Sequence, residues 1–262
     1  AAAALVVVAA ATAGEYGGVY SPHVSQDEAP WVLVELEGDY ESPVLFGAVP
    51  SDSGDDETVV RFRNLRRGAD CAGWCFDMRI EEPSCRDGIH DSMRVGWMAL
   101  EEGVFSFASQ QLFADESQTL YEVGKVPITS DGSGGFVDVD FDPYFLENEP
   151  GQKTVVTHVQ TSNIGEFVKT RQGQRSGHAG FRIALDASSG PPAGAEVVGW
   201  LGMPSGSGFF GGYAYRAETA TDMVAHQSHI VDFDAAFRDD PYIFANIASF
   251  DTTDHAVLRI HD

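Results

Sequence analysis

Two acidic turns are the first candidates for chemistry in this sequence. They read SDSGDDE (Ser51–Glu57) and DGSGG (Asp131–Gly135). Clustered carboxylate, hydroxyl and carbonyl oxygens are the ligands that Ca²⁺ takes, so either turn could hold this ion. The alternative is that both are solvated turns between strands, because Asp, Ser and Gly favour such turns. Ca²⁺ is the one cofactor that the sequence suggests, and we expect no other metal or organic cofactor.

The cysteines are the second set of reactive side chains. Cys71 and Cys75 lie in the short loop CAGWC and could close a disulfide on each other. Cys71 and Cys85 flank a predicted strand, so they lie too far apart for a disulfide if that strand is extended. Cys85 is then left over, which suggests an intermolecular bridge or a free thiol in an oxidising compartment.

Enzyme motifs are missing from the sequence. It contains no G-x-S-x-G, no H-E-x-x-H, no phosphate loop and no C-x-x-C. Its eight histidines are scattered and none is paired with a cysteine at metal-ligand spacing. The sequence therefore predicts a protein that is not an enzyme.

The charge of the chain excludes some partners. The 262 residues carry a formal net charge of −24, which repels nucleic acid and anionic membrane surfaces. Such a surface suits a halophilic or marine source, where salt screens the self-repulsion. The alternative is an ordinary acidic secreted protein. In either case we expect no nucleic-acid partner and no membrane insertion.

The first residues, AAAALVVVAAATAG, are apolar and are too few to span a bilayer. They are similar to the end of a signal peptide, but no basic residue precedes them. We expect them to form a buried strand, with a signal-peptide remnant as the alternative.

The body of the chain repeats itself. Segments beginning at Val32, Val137 and His229 each show alternating apolar residues, an acidic turn and an apolar strand, and Val159 matches Ile247 in the last two. Strict alternation predicts strands with one buried face. Clusters of Asp, Gly, Ser and Pro mark the turns between them.

A Val-Gly-Trp strand closes two of these repeats. It contains Trp97 in one copy and Trp200 in the other, and Phe76 matches Phe181 in the strand before it. Short strands at regular spacing are typical of β-sandwiches. The sequence therefore predicts an all-β protein of tandem antiparallel β-sandwich modules with a partial third module. The predicted division is an N-terminal strand and linker (1–28), module 1 (29–125), module 2 (126–225) and the first half of a third module (226–262).

The strand order, the VVRFRNL stretch and the closing VGWMALE strand resemble the H-type lectin domain of snail agglutinins and discoidins. The resemblance covers Ala29 to about Phe105, Val137 to Met203, and the first half of a module from His229 to Asp262. It implies six-stranded antiparallel sandwiches that often trimerise. It also implies binding of N-acetylgalactosamine-type sugars in a shallow groove between subunits.

The resemblance also implies sugar-binding residues. The family's strand arginine falls on Arg61, Lys169 and Arg259, and a guanidinium can hydrogen-bond vicinal hydroxyls in a fixed fork. The family's hairpin aromatic has no counterpart here, and His90 lies on the far side of that hairpin. The alternatives are that Arg61 pairs with a carboxylate on the strand surface and that His90 is an ordinary hairpin residue.

Two function classes follow. The first is a lectin-like extracellular or cell-surface protein that acts in glycan recognition and adhesion. The second is a structural protein whose modules pair by strand exchange into a filament or sheet. Its partners are then glycans or other copies of itself, and we expect a homo-oligomer or polymer.

The two ends of the sequence favour the second class. The N-terminal strand resembles the end of a module, and the last residues resemble the beginning of one. We expect the two to complete each other, most simply between neighbouring copies by strand addition. The alternatives are that the chain is a fragment of a longer repeat array or that its first residues are a signal-peptide remnant.

Overall fold

The computed structural model is all-β, as the sequence predicts. It describes residues 3–8, 14–21, 31–48, 58–68, 70–83, 93–106, 119–175, 178–187, 190–210, 213–220, 230–231, 241–248 and 258. The strands are β1 (Ala3–Val8), β2 (Gly14–Ser21), β3 (Val32–Leu36), β4 (Pro43–Gly47), β5 (Val59–Arg67), β6 (Trp74–Glu81), β7 (Met93–Glu101), β8 (Gly103–Ser106), β9 (Leu120–Asp131), β10 (Val137–Asp140), β11 (Lys153–Val159), β12 (Val168–Gln174), β13 (Gly180–Ala187), β14 (Ala193–Pro204), β15 (Gly206–Phe210), β16 (Tyr213–Ala220) and β17 (Tyr242–Ile247). One short helix, α1 (Pro143–Asn148), follows β10. None of the described residues form a helix with the length and apolarity needed to cross a membrane.

Module 1 is a sandwich of two antiparallel sheets. Its inner sheet has the order β2-β7-β4 and its outer sheet the order β3-β6-β5. The alternating apolar residues of both sheets meet in one core, where the Trp97 ring lies edge-on against Phe76 with centroids 5.4 Å apart. Period-two alternation in the sequence produces this face because successive side chains of a strand point to opposite sides.

Module 2 repeats the same architecture. Its inner sheet has the order β11-β14-β9-β8 and its outer sheet the order β10-β13-β12. The Trp200 ring lies edge-on against Phe181 at 5.5 Å, as Trp97 does against Phe76. The prediction that the two tryptophans occupy equivalent core positions is confirmed.

A third inner sheet contains both ends of the chain. Its order is β15-β16-β1-β17, so the N-terminal strand lies between two C-terminal strands. In the same way β7 lies between β2 and β4, and β14 lies between β9 and β11. Strand β1 therefore takes the place of a Val-Gly-Trp strand, and residues Ala3, Ala4 and Leu5 stand where the other copies have Val, Gly and Trp.

This pairing bears on the expected strand addition. In the structure of the single chain, the N-terminal and C-terminal segments complete each other within that chain, and exchange of these segments between copies stays a prediction. Both edges of β1 are occupied by β16 and β17 of the same molecule.

The three inner sheets pack on one central core. It contains residues of β4 and β7 from module 1, of β9, β11 and β14 from module 2, and of β16 and β17 from the third sheet. Its buried members are Val44, Phe46, Ala48, Met98, Leu100, Tyr121, Val123, Val156, Leu201, Met203, Tyr215, Ala217 and Phe244. The chain is thus a threefold internal repeat closed around a shared core.

The glycine of the Val-Gly-Trp strand has a packing role at these junctions. A Cβ on Gly199 would lie 2.4 Å from Val44 of module 1, and a Cβ on Gly96 would lie 2.1 Å from the Tyr242 ring of the third sheet. Val44 and Tyr242 occupy equivalent positions of β4 and β17. At these two positions a Cβ would overlap the side chain of the neighbouring module, so glycine is required there.

The predicted module boundaries do not match the sheets. Strand β2 pairs with β7 and belongs to module 1 rather than to a separate segment of residues 1–28. Strand β9 crosses the predicted boundary at residue 125. The reason is that each closing strand is followed by a strand that belongs to the inner sheet of the next module.

Candidate functional site

Arg61 lies in a buried junction between modules 1 and 2. It projects from β5, its side chain has no exposed surface, and it donates to the carbonyls of Glu166 (3.0 Å) and Ile164 (3.3 Å). It also pairs with Glu196 of module 2 and Glu81 of module 1, each at 3.3 Å. Burial lowers the pKa of Arg61, while the two carboxylates oppose that effect. The expectation of a sugar-binding Arg61 is therefore wrong, because no ligand hydroxyl can reach this guanidinium.

Glu196 ties the same junction to a loop of module 2. Its carboxylate accepts the backbone N–H groups of Ile164 (2.9 Å) and Asn163 (3.2 Å) and the hydroxyl of Thr161. A buried carboxylate is stable only when such donors satisfy it. Arg61 thus holds a module 2 loop against module 1, which is a structural role.

The counterpart of Arg61 in module 2 is Arg171, not Lys169. Phe62 of β5 pairs with Met78, and Gln172 of β12 pairs with Ile183, so the residue before each is the equivalent one. Arg171 is also buried and its Nε lies 2.8 Å from Asp186. The sequence alignment chose Lys169, two residues before Arg171. Arg171 is also basic and lies on the same face of the strand, so the sequence offered it as a second candidate.

Other predicted residues are placed as follows. Lys169 pairs with Asp186 at 3.6 Å and lines a small cavity described below. His90, Arg259, Cys85 and the turn Ser51–Glu57 lie outside the described residues.

The second acidic turn and the loop CAGWC are described. Asp131 accepts the backbone N–H of Ser133 at 2.8 Å, so its carboxylate already closes the turn, and hydrogen bonds from the side chain and the backbone of Ser133 lower its pKa. The described residues contain no cluster of three or more His, Cys, Asp or Glu side chains that could hold a metal. In the loop, Cys71 and Cys75 form a disulfide with their Cα atoms 6.2 Å apart.

The junction between modules 1 and 2 is filled by two polar side chains of module 2. Gln160 donates to the Leu45 carbonyl at 2.7 Å and accepts the Leu45 N–H at 2.8 Å. Lys125 donates to the Ser42 hydroxyl at 2.7 Å and to the Pro43 carbonyl at 3.3 Å. These bonds satisfy the outer edge of β4 and leave little room between the modules.

The junction between module 2 and the third sheet has smaller residues at both positions. Ala248 follows Ile247 as Gln160 follows Val159, because Ile247 and Val159 hold equivalent places in their sheets. Thr219 pairs with Ala4 as Lys125 pairs with Gly199. The shorter side chains leave an open groove of about 300 Å³, which we call the second-junction groove. The matched Val159 and Ile247 were visible in the sequence, so the change from Gln160 to Ala248 was readable there too.

Apolar side chains and hydrogen-bonding groups both line the second-junction groove. Its described lining is Phe141, Gln152, Lys153, Val155, Gln172, Gly173, Arg175, His178, Gly180, Phe181, Thr219 and Ala248. Gln172 donates to the Val155 carbonyl at 3.0 Å, which holds its amide in place. Small-molecule sites likewise combine apolar side chains with fixed polar groups, and here about half of the lining residues are polar or charged.

A second, smaller cavity lies where all three modules meet. Its volume is about 90 Å³, and its lining includes Ala48, His158 and Asn246, which are equivalent residues of the three inner sheets. The His158 ring lies against Phe62 at 4.6 Å and its Nδ1 donates to the Val159 carbonyl at 3.0 Å. Burial, with a smaller effect of the Arg61 charge, lowers the pKa of His158 to about 4. The imidazole is therefore neutral at pH 7 and serves as packing.

One carboxyl group on β9 titrates near neutrality. Burial raises the pKa of Glu122 to about 7, and the charge of Asp142 adds to this effect. Both carboxylate oxygens accept the Asp142 N–H, at 3.1 and 3.0 Å. Asp142 in turn begins helix α1 by accepting the Tyr144 N–H. Glu122 is absent from the groove lining and is tied to the start of α1.

No family model, curated protein or solved structure matches this chain. Its class is therefore defined by the fold and the groove. It is an all-β protein of repeated sandwich modules, closed around one core, with a ligand-sized groove at one of its module junctions.

Proposed function

We propose that this protein is a non-enzymatic glycan-binding protein, acting in recognition or adhesion outside the cell or on its surface. The observation that carries the proposal is the second-junction groove. In this groove Ala248 and Thr219 stand where the longer Gln160 and Lys125 fill the first junction.

The lining combines apolar and polar groups, as sugar sites do. Phe141, Phe181 and Val155 give the groove an apolar wall, while each is only about 5–6 % exposed and packs mainly in the core of module 2. Gln152 offers an amide group that can hydrogen-bond a hydroxyl, whereas the N–H groups of Gln172 already donate within module 2. The resemblance to H-type lectins, whose sugar site lies between subunits, is consistent with a site between modules.

The disulfide between Cys71 and Cys75 supports an extracellular or surface location, because disulfides persist in oxidising compartments. The net charge of −24 argues against nucleic acid as the partner. In the alternative of self-assembly by strand exchange, strands of a neighbouring copy would have to replace β16 and β17 beside β1.

The experiment that tests the proposal copies the filled junction into the open one. The double variant Ala248→Gln with Thr219→Lys should fill the groove and abolish binding on a glycan array. A matched control, Thr129→Lys with Ala195→Gln, places the same side chains on exposed strand positions of module 2 and should bind as the wild type does.

Two results would contradict the proposal. One is a wild-type protein that binds no glycan on the array. The other is glycan binding that the groove-filling variant retains in full, with the variant folded by circular dichroism.

A further inference from the structure

Lys153 is a cationic residue of the second-junction groove, and one of its N–H groups has no acceptor among the described residues. Its ammonium group donates to the carbonyls of Glu149 and, at 2.8 Å, Gly151, and lies 5.1 Å from the centroid of the Phe145 ring. An ammonium group has three N–H donors. Two donate to carbonyls of the loop that precedes β11, none of the described residues accepts the third, and Lys153 lines the groove.

Within the described residues, Lys153 has no carboxylate at ion-pair distance. The other groove cation, Arg175, pairs with Asp140 and lies 3.9 Å from Asp138. The remaining two lysines are also paired, Lys125 with Glu102 and Lys169 with Asp186. In a chain of net charge −24, an ammonium group left without a carboxylate is informative.

The surroundings of Lys153 make an incoming anion favourable. Partial burial lowers the pKa of Lys153, because the charged form loses hydration there, and the charge of Glu149 only partly opposes this. The Glu149 carboxylate itself accepts the Leu120 N–H at 2.7 Å. A bound carboxylate would accept a charge-assisted hydrogen bond from the Lys153 ammonium group, which has no carboxylate partner among the described residues.

We infer that the groove selects a sugar that carries a carboxylate, such as a uronic acid, and that this carboxylate accepts a hydrogen bond from Lys153. The inference rests on the proposed function. A singly charged group fits better than a phosphate monoester, which carries up to two negative charges, because Glu149 lies close by and only one N–H of Lys153 has no acceptor among the described residues. The groove volume of about 300 Å³ leaves room for a sugar ring, and the Gln152 amide offers the ring a hydrogen-bonding partner.

The test compares galacturonate, galactose and propionate as probes in isothermal titration calorimetry. The wild type should bind galacturonate about tenfold or more tightly than galactose, as expected for one added charge-assisted hydrogen bond. Propionate, which has the carboxylate without the ring, should bind far more weakly than galacturonate.

Variants connect this preference to Lys153. Lys153→Gln should bring galacturonate down to the affinity of galactose, and Lys153→Arg should keep most of the preference. Lys125→Gln removes a lysine from the filled junction and should leave the preference intact. Thermal unfolding of each variant checks that the fold is retained, and the arginine variant keeps the test valid if the glutamine variant unfolds.

The outcomes separate the two proposals. Equal binding of galacturonate and galactose, abolished by the groove-filling variant, would overturn the acidic-sugar inference and leave the glycan site standing. Propionate binding as tightly as galacturonate would show a carboxylate site with no sugar selectivity and would also overturn the inference. A wild-type protein that binds neither these sugars nor any glycan on an array would overturn both.

Discussion

Replacing Arg61 with methionine tests whether this residue holds the modules together or binds ligand. The substitution keeps a long apolar side chain and removes the charge and all the donors. The structure predicts a loss of stability because Glu81 and Glu196, both buried, lose their common partner.

The size of the loss follows from the bonds that break. Two ion pairs and two bonds to the carbonyls of Ile164 and Glu166 are removed together. Removing one partner of a buried ion pair costs about 3–5 kcal/mol, and the carboxylates keep other donors here, so we expect about 4 kcal/mol. For a chain of this length, that corresponds to a fall in Tm of roughly 8–16 °C.

Urea and thermal unfolding measure this loss, with glycan binding measured below the lowered Tm. Arg67→Met is the control, because Arg67 forms an exposed ion pair with Asp39 and should leave the Tm nearly unchanged. A variant at Arg61 that lost glycan binding with an unchanged Tm would refute the structural role and return this residue to the binding site.

Three further predictions concern other buried groups. Trp97→Ala and Trp200→Ala should each lower the free energy of unfolding by about 3–5 kcal/mol, and by similar amounts, since their contacts are alike; unequal losses in urea unfolding would argue against equivalence. Glu122 has a folded pKa of about 7, above its ordinary value, so the free energy of unfolding should decrease as pH rises from about 4.5 through about 7, where the buried carboxyl group must ionise. Glu122→Gln should therefore raise the free energy of unfolding at pH 8 by about 2 kcal/mol and leave it nearly unchanged at pH 4.5; an equal effect at both pH values would contradict the shifted pKa. His158 has a folded pKa of about 4, below its ordinary value, so the free energy of unfolding should fall as pH drops from about 6.5 to about 4. In the variant His158→Asn, this decrease should be smaller by about 2 kcal/mol, as measured by thermal unfolding at a series of pH values. If the variant shows the same pH dependence as the wild type, His158 is not the group responsible.

Much of the fold could be predicted from alternation and repetition. The paired tryptophans and the apolar faces of the strands follow from period two, which is a local property of the sequence. The pairing of the first strand with the last was predictable from an incomplete module. The pairing of these strands within one chain could not be predicted. The sequence pattern shows which strands need a partner, but it does not show whether the loops between them allow the chain to close on itself.

The candidate site was harder to predict for two physical reasons. Lys169 and Arg171 lie two residues apart on one strand, and a slip of two residues preserves the buried face, so alternation cannot distinguish them. The groove depends on the difference between side chains at two junctions, Ala248 against Gln160 and Thr219 against Lys125. Such a difference has meaning only once the register of the three inner sheets is known.

The position of β1 between β16 and β17 has a consequence for how the protein folds. Ala3 pairs with Ala220 and with Ile247, so the contacts of β1 join residues more than two hundred positions apart. Contacts of such high sequence separation form slowly, because the entropy of closing the loop is lost before any pairing stabilises it. During synthesis β1 emerges before every strand it pairs with, and it cannot be paired on both edges until β17 has left the ribosome. A delay in this pairing leaves the apolar sequence AALVVV open to aggregation.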